Sequence, residues 1–259
     1  MIPENIGPPV FFYYRLTNFY QNHRRYVKSL DTDQLKGKAI SAGTIDGGSC
    51  DPLRLDNHTG KPYYPCGLIA NSLFNDSFSS PTGLNVKGVG NGTRVYPMTN
   101  KGIAWESDKE IYGMTDYKLE DIAVPPNWVE RWPNGYTEQN PPPNLDQDEE
   151  FQVWMRTAGL PTFSKLALRN DNETMACGTY RVDVQLSTSQ RDHVSVIEVA
   201  DNVADFPVTV YGGTKSIVIS TSTVMGGKNP FLGIAYVVVG GICIVLGALF
   251  TVAHLIKPR

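Results

Sequence analysis

The residues with chemistry to offer are few and scattered. Four asparagines stand in Asn-X-Ser/Thr sequons: Asn57-His58-Thr59, Asn75-Asp76-Ser77, Asn91-Gly92-Thr93 and Asn172-Glu173-Thr174. This pattern is the acceptor of an N-linked glycan, and one match alone is a weak signal. Four cysteines are present, Cys50, Cys66, Cys177 and Cys243. Cys50 and Cys66 bracket a short loop and are expected to form a disulfide, since closing a loop of that size contributes about 3 kcal/mol. Cys243 lies in an apolar run and is expected to be a free thiol. Cys177 is left over, either free or paired with a cysteine outside this sequence.

None of this composes an active site. Asp146, Asp148, Glu149 and Glu150 are close in sequence, but they lack the glycine and the ligand alternation of a calcium loop and read as a solvated acidic turn. The four histidines, His23, His58, His193 and His254, are too far apart to form a motif. There is no Walker A sequence, no Gly-X-Ser-X-Gly elbow and no His-Glu-X-X-His. A net charge of −3, with no basic stripe and no zinc spacing, excludes nucleic-acid binding as a reading. Neither a metal nor a cofactor is expected. A carboxylate pair such as Glu149 with Glu106 is the one arrangement that hydrolysis of a glycoside could use.

The element that positions everything else is the C-terminus. From Phe231 to Ile256 there are 26 residues without an Asp, Glu, Lys or Arg. As a helix they would extend roughly 39 Å, enough to cross a hydrocarbon core of ~30 Å with some tilt. Pro230 suits the first helical turn, and Lys257 and Arg259 close the run. The expected organisation is therefore an ectodomain over 1–228, a transmembrane helix over 229–256, and the start of a cytoplasmic tail over 257–259. All four sequons fall on one side of the span, so the ectodomain is read as luminal or extracellular. Lys257 and Arg259 then lie inside, as the positive-inside rule asks, although Lys228 opposes them. Met1-Ile2-Pro3-Glu4-Asn5 has no basic start and no apolar core, so it is no signal peptide. The expectation is a preceding transmembrane helix, giving a two-span protein with both ends cytoplasmic. Within the C-terminal span, Gly233, Gly240 and Gly247 recur every seven residues, with Tyr236 and Cys243 between them and Phe250 and His254 continuing the line. Small residues in one stripe let a second helix approach closely in lipid, so this face is expected to pack on a partner helix.

Before the span, Val10 to Tyr14 reads as a buried strand. Leu16, Phe19, Tyr20, His23, Val27 and Leu30 recur at helical spacing, predicting an amphipathic helix capped by Thr17 or Asn18, with His23 on its apolar face. Leu68, Ile69, Ser72 and Leu73 predict a short helix pinned by the disulfide. Pro125-Pro126, Pro133 and Pro141-Pro142-Pro143 predict extended chain anchored by Trp128 and Trp132. Phe151 to Arg156 alternates and reads as a strand, followed by a turn and an edge at Leu160 to Leu166. Tyr180 to Leu186 alternates apolar and polar. Two runs, Phe206 to Tyr211 and Ser216 to Ser220, flank Gly212-Gly213 and predict a hairpin. The fold class is thus mainly β with short helices, an antiparallel sandwich-like ectodomain followed by one transmembrane α-helix.

Four long stretches carry a resemblance. They are Asn18-Phe19-Tyr20-Gln21-Asn22-His23-Arg24-Arg25-Tyr26-Val27-Lys28-Ser29, Pro65-Cys66-Gly67-Leu68-Ile69-Ala70-Asn71-Ser72, Val153-Trp154-Met155-Arg156-Thr157-Ala158 and Gly227-Lys228-Asn229-Pro230-Phe231-Leu232-Gly233-Ile234-Ala235-Tyr236. Together and in this order they resemble the non-catalytic β-subunits of type IV P-type ATPases, the lipid flippases. The resemblance implies a two-span protein with a large luminal β-rich ectodomain. It implies a heterodimer with the catalytic α-subunit, which moves phosphatidylserine or related phospholipids to the cytoplasmic leaflet, and a role in that pump's assembly, exit from the endoplasmic reticulum and activity. It implies a glycan at Asn75 and a disulfide at Cys50 and Cys66. Residence in the endoplasmic reticulum, the Golgi or endosomes, or the plasma membrane follows from the same likeness. The first membrane helix and a further cysteine pair of the family are absent here, and Cys177 has no assigned counterpart.

The pump's own Asp-Lys-Thr-Gly motif is missing, so the chain is expected not to be an enzyme. The alternatives are a membrane-anchored luminal glycosidase-like enzyme, which would turn over substrate as an isolated ectodomain, and a cell-surface receptor. The partners expected are the catalytic subunit, membrane lipids and N-glycans.

Overall fold

The structure is a computed structural model that describes residues 1–86, 93–185, 206–222 and 230–256. It divides into two units, Met1–Ser220 and Thr221–Arg259. In chain order the first unit holds β1 (Val10–Leu16), α1 (Arg24–Lys28), α2 (Thr32–Leu35), α3 (Ala42–Asp46), α4 (Leu68–Asn71), β2 (Ser77–Phe78), β3 (Thr82–Val86) and β4 (Arg94–Val95). It continues with α5 (Glu106–Lys109), α6 (Glu149–Met155), β5 (Phe163–Asn170), β6 (Gly178–Arg181), β7 (Val184–Gln185) and β8 (Lys215–Thr221). The long helix of the second unit is α7 (Pro230–Ile256). Antiparallel strand pairs, short helices and one long C-terminal apolar helix match the expected class. The β component consists of small sheets with orders β5-β1-β8, β2-β7 and β4-β3-β6.

Strand β1 is the axis of the head. Its sequence Val-Phe-Phe-Tyr-Tyr-Arg-Leu alternates, so Val10, Phe12, Tyr14 and Leu16 are buried while Arg15 faces out. It pairs antiparallel with β5, from Val10 opposite Asn170 to Leu16 opposite Phe163, with an irregularity between Phe12 and Tyr13. Its other neighbour is β8, some two hundred residues later. The core on its inner face is aromatic. Phe12, Leu16, Tyr64, Ile69, Phe151 and Trp154 are fully or almost fully buried, and Phe19, Phe74, Trp154 and Phe206 meet at ring-centroid distances of 5.2–6.4 Å.

Several local expectations are corrected. The helix predicted from Leu16 to Leu30 shrinks to α1. Asn18 adopts a left-handed φ of 57°, and its neighbours are bonded elsewhere: the Phe19 N–H donates to Pro161 O at 3.0 Å, and Asn22 Nδ2 to Gly159 O at 3.0 Å. Those distant partners outcompete a continuous helix, whose short nucleus is costly. His23 is not on an apolar face. It is exposed and caps α1, its Nδ1 accepting from the Arg25 N–H.

The strand predicted at Phe151 to Arg156 is the helix α6. Asp148 caps it, accepting the Phe151 N–H at 3.0 Å, and Glu149 and Glu150 occupy the first turn, where the helix dipole favours negative charge. What read as a solvated acidic turn is therefore a helix start, with Glu149 buried. Phe151, Trp154 and Met155 lie three and four apart and all face the core.

The hairpin predicted around Gly212-Gly213 does not form. Thr209–Tyr211 make a 3-10 turn that ends at Gly212 in the left-handed region (φ 65°), and β8 pairs with β1 instead. The strand predicted from Tyr180 to Leu186 divides between β6 and β7, which join different sheets; Leu186 lies outside the described residues.

Much of the chain between these elements is irregular, and buried side-chain amides hold it. Gln34, 1% exposed, donates from Nε2 to Tyr63 O at 2.9 Å and accepts the Cys66 N–H on Oε1 at 2.8 Å. Gln34→Leu conserves size but strands both backbone groups, at about 1–3 kcal/mol for each. We expect a clearly lowered melting temperature for that variant in detergent; an unchanged melting curve would show that these two bonds add no net stability.

Candidate functional site

The disulfide-bracketed segment comes first. Cys50 and Cys66 are joined by a disulfide with Cα atoms 5.7 Å apart, and they pack with Ile45. Inside this loop Asp56 organises a tight turn: its carboxylate accepts the Thr59 hydroxyl at 2.6 Å and the backbone N–H groups of His58 and Thr59. The Thr59 hydroxyl is the main reason why the Asp56 carboxyl is held below the usual range. This turn lifts Asn57 into solvent.

Immediately after Cys66, Gly67 (φ 97°) lies so close to Ser29 that an added Cβ would sit 2.1 Å from its carbonyl oxygen. The last carbonyls of α4 take partners from beyond the helix, among them the Leu73 N–H on Ala70 O at 3.1 Å and the Ser72 hydroxyl on Ile69 O at 3.2 Å. Trp154 Nε1 donates to Ile69 O at 2.8 Å and Trp128 Nε1 to Ala70 O at 3.0 Å. The chain then runs to Asn75, half-buried, and to Asp76, fully inside. Asp76 accepts the Phe206 N–H at 3.1 Å and forms a buried ion pair with Lys215 of β8. Asn172 sits exposed in the turn after β5, where Asn170 Oδ1 accepts the N–H groups of residues 172 and 173 at 2.8 and 2.9 Å. Asn91 lies outside the described residues.

The carboxylates considered for hydrolysis are close together but engaged. Lys109 Nζ sits 3.0 Å from Glu106 and 3.4 Å from Glu149. Burial pushes the Glu149 carboxyl up. The N–H groups of Ala104, Gly102 and Ile103, with the Lys109 charge, outweigh it and hold the carboxyl below the ordinary glutamate range. A general acid for glycoside cleavage needs the opposite shift. Glu149 is therefore an anchor, accepting Ile103 and Ala104 N–H at 2.8 and 3.0 Å and tying α6 to the chain before α5. Among the described residues no group of three or more His, Cys, Asp or Glu could hold a metal ion. His58 is exposed in its turn, and His193 lies outside the described residues. Cys177 is a half-buried free thiol.

Beyond Thr221 and Ser222, the second unit is described by α7. Gly233–Ile256 is a 24-residue stretch of mean hydropathy 2.4, long and apolar enough to cross a membrane. A seven-residue spacing drifts only about 20° per repeat on a straight helix. Gly233, Gly240 and Gly247 therefore share a face with Tyr236, Cys243, Phe250 and His254. A Cβ at any of the three glycines would meet nothing within 4 Å. Outward along the flanks stand Val237, Ile244 and Leu249, all exposed.

Two interior ionic features escaped sequence reasoning. One is the Asp76–Lys215 pair. The other is Lys165, 6% exposed, whose Nζ donates to Val153 O at 2.8 Å, to Trp154 O at 2.9 Å and to Arg156 O. Three ammonium donors meet three carbonyls at the end of α6. Burial, then the Arg156 charge, pushes the Lys165 pKa down to about 7. The inward period-two register of β5 is the only sequence signal that could have found it.

Comparison with known proteins places these features in a family. The profile of the LEM3 (ligand-effect modulator 3) / CDC50 family matches residues 1–259. The chain is similar to a "phospholipid-transporting ATPase accessory subunit CDC50" of Chaetomium thermophilum, 46% identical over 100% of this chain and 60% of the relative. It is likewise similar to the accessory subunit CRF1 of Saccharomyces cerevisiae, 44% identical over 100% of this chain and 59% of the relative. The human "cell cycle control protein 50B" is 39% identical over 98% of this chain and 69% of the relative. The chain thus spans about 60% of the length of the two fungal relatives.

Because the folded pKa of Glu149 is depressed, its contribution to stability is present above the unfolded value of about 4.3 and is lost as pH falls through the lower folded value. Melting temperature measured against pH should therefore fall on acidification below about pH 4.3. Glu149→Gln should be less stable at neutral pH and lose part of that acid slope. An identical slope in the variant would assign the acid sensitivity to other carboxylates.

Proposed function

The chain belongs to the LEM3/CDC50 family, and on that premise we propose that it is the membrane-anchored, non-catalytic accessory subunit of a phospholipid-transporting P-type ATPase. One observation carries the reading: the family match extends from residue 1 to residue 259, covering the disulfide segment and α7 alike. A relative matching along the same length is named as an accessory subunit of such an ATPase. The enzyme reading has the Glu149 geometry against it, since that carboxylate is saturated by backbone donors and Lys109.

In this proposal residues 1–228 are the luminal or extracellular head, 229–256 cross the membrane and 257–259 begin the cytoplasmic side. Asn57, Asn75, Asn91 and Asn172 carry N-glycans, and the Cys50–Cys66 disulfide fits the same oxidising compartment. The protein travels with its catalytic partner from the endoplasmic reticulum to the Golgi, endosomes or plasma membrane. The substrate of the complex is phosphatidylserine or a related phospholipid moved to the cytoplasmic leaflet.

Assembly is the mechanism. The face of α7 carrying Gly233, Tyr236, Gly240, Cys243 and Gly247 packs on a helix of the pump, because backbone without side chains allows close approach where lipid gives no hydrophobic drive. The head covers the pump's luminal loops. If the subunit binds one state of the catalytic cycle better than the others, it shifts the cycle by that difference in affinity and by no more.

Affinity purification of the full-length glycosylated protein from membranes, followed by mass spectrometry, should recover a large P-type ATPase near stoichiometry. Its absence would remove the assignment. Gly240→Leu should lower that recovery several-fold while leaving the head's melting temperature unchanged, and full recovery would take the glycine face out of the interface.

A further inference from the structure

Below the Asn75 sequon the head contains an open cavity of about 360 Å³ with a divided character. One side is aromatic. Tyr14 and Phe74 are stacked at 3.9 Å with their planes 4° apart, and Phe78 lies nearly parallel to both, 6.1 Å from Phe74 and 6.3 Å from Tyr14. Leu166 and Leu168 of β5 extend this apolar wall. The rim is polar, with Ser80, Thr99, Asn100 and Glu150. Asn100 and Glu150 are exposed, and Asn100 Nδ2 donates to Glu150 Oε1 at 3.0 Å, which fixes a planar amide and a planar carboxylate side by side. Tyr14 and Phe74 are themselves 7% and 9% exposed, so the aromatic wall is built into the core and not a surface accident.

An aromatic wall opposite a rim of acceptors suits a pyranose. The C–H face of a sugar ring is apolar and lies on an aromatic ring, while its hydroxyl and acetamido groups donate to amide and carboxylate oxygens. A source of that chemistry is tethered at the mouth. Asn75 is one residue from Asp76 and two from Ser77, both of which line the cavity, and consecutive Cα atoms are about 3.8 Å apart. A glycan on Asn75 would therefore lie within reach of this site at the effective concentration of a short tether.

We propose that the first sugars of the Asn75 glycan seat in this cavity, against Phe78 and under the Asn100–Glu150 pair, so that this glycan is part of the folded head while those on Asn57 and Asn172 project into solvent. The proposal rests on the reading that Asn75 is glycosylated. The seated sugar covers the stacked rings and the mouth above the Asp76–Lys215 pair, linking the segment after α4 to β5 and α6.

The test uses the full-length protein expressed in a eukaryotic host and kept native in detergent. Site-resolved mass spectrometry first measures occupancy at Asn75, Asn57 and Asn172. An amidase that removes N-glycans is then applied, and release is followed at each site over time. Release at Asn75 should be at least about ten-fold slower than at the other two sites, and all three should become equal after denaturation. Asn100→Ala with Glu150→Ala, two exposed rim changes, should bring the Asn75 rate to within about three-fold of the others while the melting transition stays cooperative. An unoccupied Asn75 overturns the seat together with the glycosylation reading on which it rests. An occupied Asn75 released as fast as Asn57, or slow release that the double variant leaves untouched, overturns the seat alone.

Discussion

The head depends on one constraint: buried irregular backbone must find hydrogen-bond partners without water. Few of its described residues between β1 and β5 belong to long regular elements, so helix and sheet ladders supply only part of those partners. Loop backbone and buried side chains supply others. Gln34 bridges Tyr63 and Cys66, Gln21 Oε1 accepts the Ala158 N–H at 2.9 Å, and Gln152 Nε2 donates to Leu145 O and Asp146 O. Ser29 Oγ donates to Asp51 O at 2.7 Å and accepts the Leu68 N–H at 2.9 Å, while Tyr136 donates to Tyr64 O at 2.6 Å. The Gln152 bonds are local, closing the turn before α6; each of the others connects segments far apart in sequence. The polar interior is thus the device that fixes the order of the loops, and an apolar replacement would leave stranded groups on both sides.

The same constraint explains the charged groups inside. Lys165 closes the carbonyl end of α6, Glu149 holds the start of that helix against the backbone of residues 103 and 104, and Asp76 with Lys215 joins the segment after α4 to β8. A buried charge is costly without compensating partners: Glu149 and Asp76 each have an ion pair and backbone N–H donors, and Lys165 has its three carbonyls. They do the work of caps and ladders, which leaves them poor candidates for chemistry. A carboxylate kept ionised by fixed N–H donors cannot lend a proton, and a lysine engaged with three carbonyls is no free nucleophile.

How much of this was legible in the sequence follows from the range of the interactions. The span could be read because purity of composition over 26 residues is a local property. Strand β1, α4 and the Cys50–Cys66 loop were legible for the same reason. The misreadings arose where local pattern and distant partners disagree. The spacing from Leu16 to Leu30 fits a helix, yet Pro161, Gly159 and Tyr211 claim the backbone and side chains of residues 18–22. Phe151 to Met155 fits both periods, and the cap at Asp148 with its two following glutamates decides for helix. The hairpin after Phe206 failed because β1 is available to β8, a pairing that no window of sequence can contain. The buried glutamines carry no sequence mark, since their task is set by backbone groups contributed by other loops.

Strand β8 is held to the head by polar contacts of the same kind. In the sequence it is the last described strand before α7. Its fastening is polar and directional. Thr17 and Thr214 exchange bonds at its start, through their hydroxyls at 2.9 Å and through the Thr17 N–H to Thr214 O at 3.1 Å. Lys215 follows, its ammonium inside the core on Asp76 and 5.8 Å from the Phe74 ring. Apolar contact alone would allow an edge strand to slide by two residues and keep its burial pattern. A buried ion pair opposes such a slip, because moving β8 would separate the Lys215 ammonium from the Asp76 carboxylate inside the core. The register of the strand that precedes the membrane helix in sequence is therefore held by charge, and Asp76, the residue that holds it, belongs to the same sequon that would carry the seated glycan.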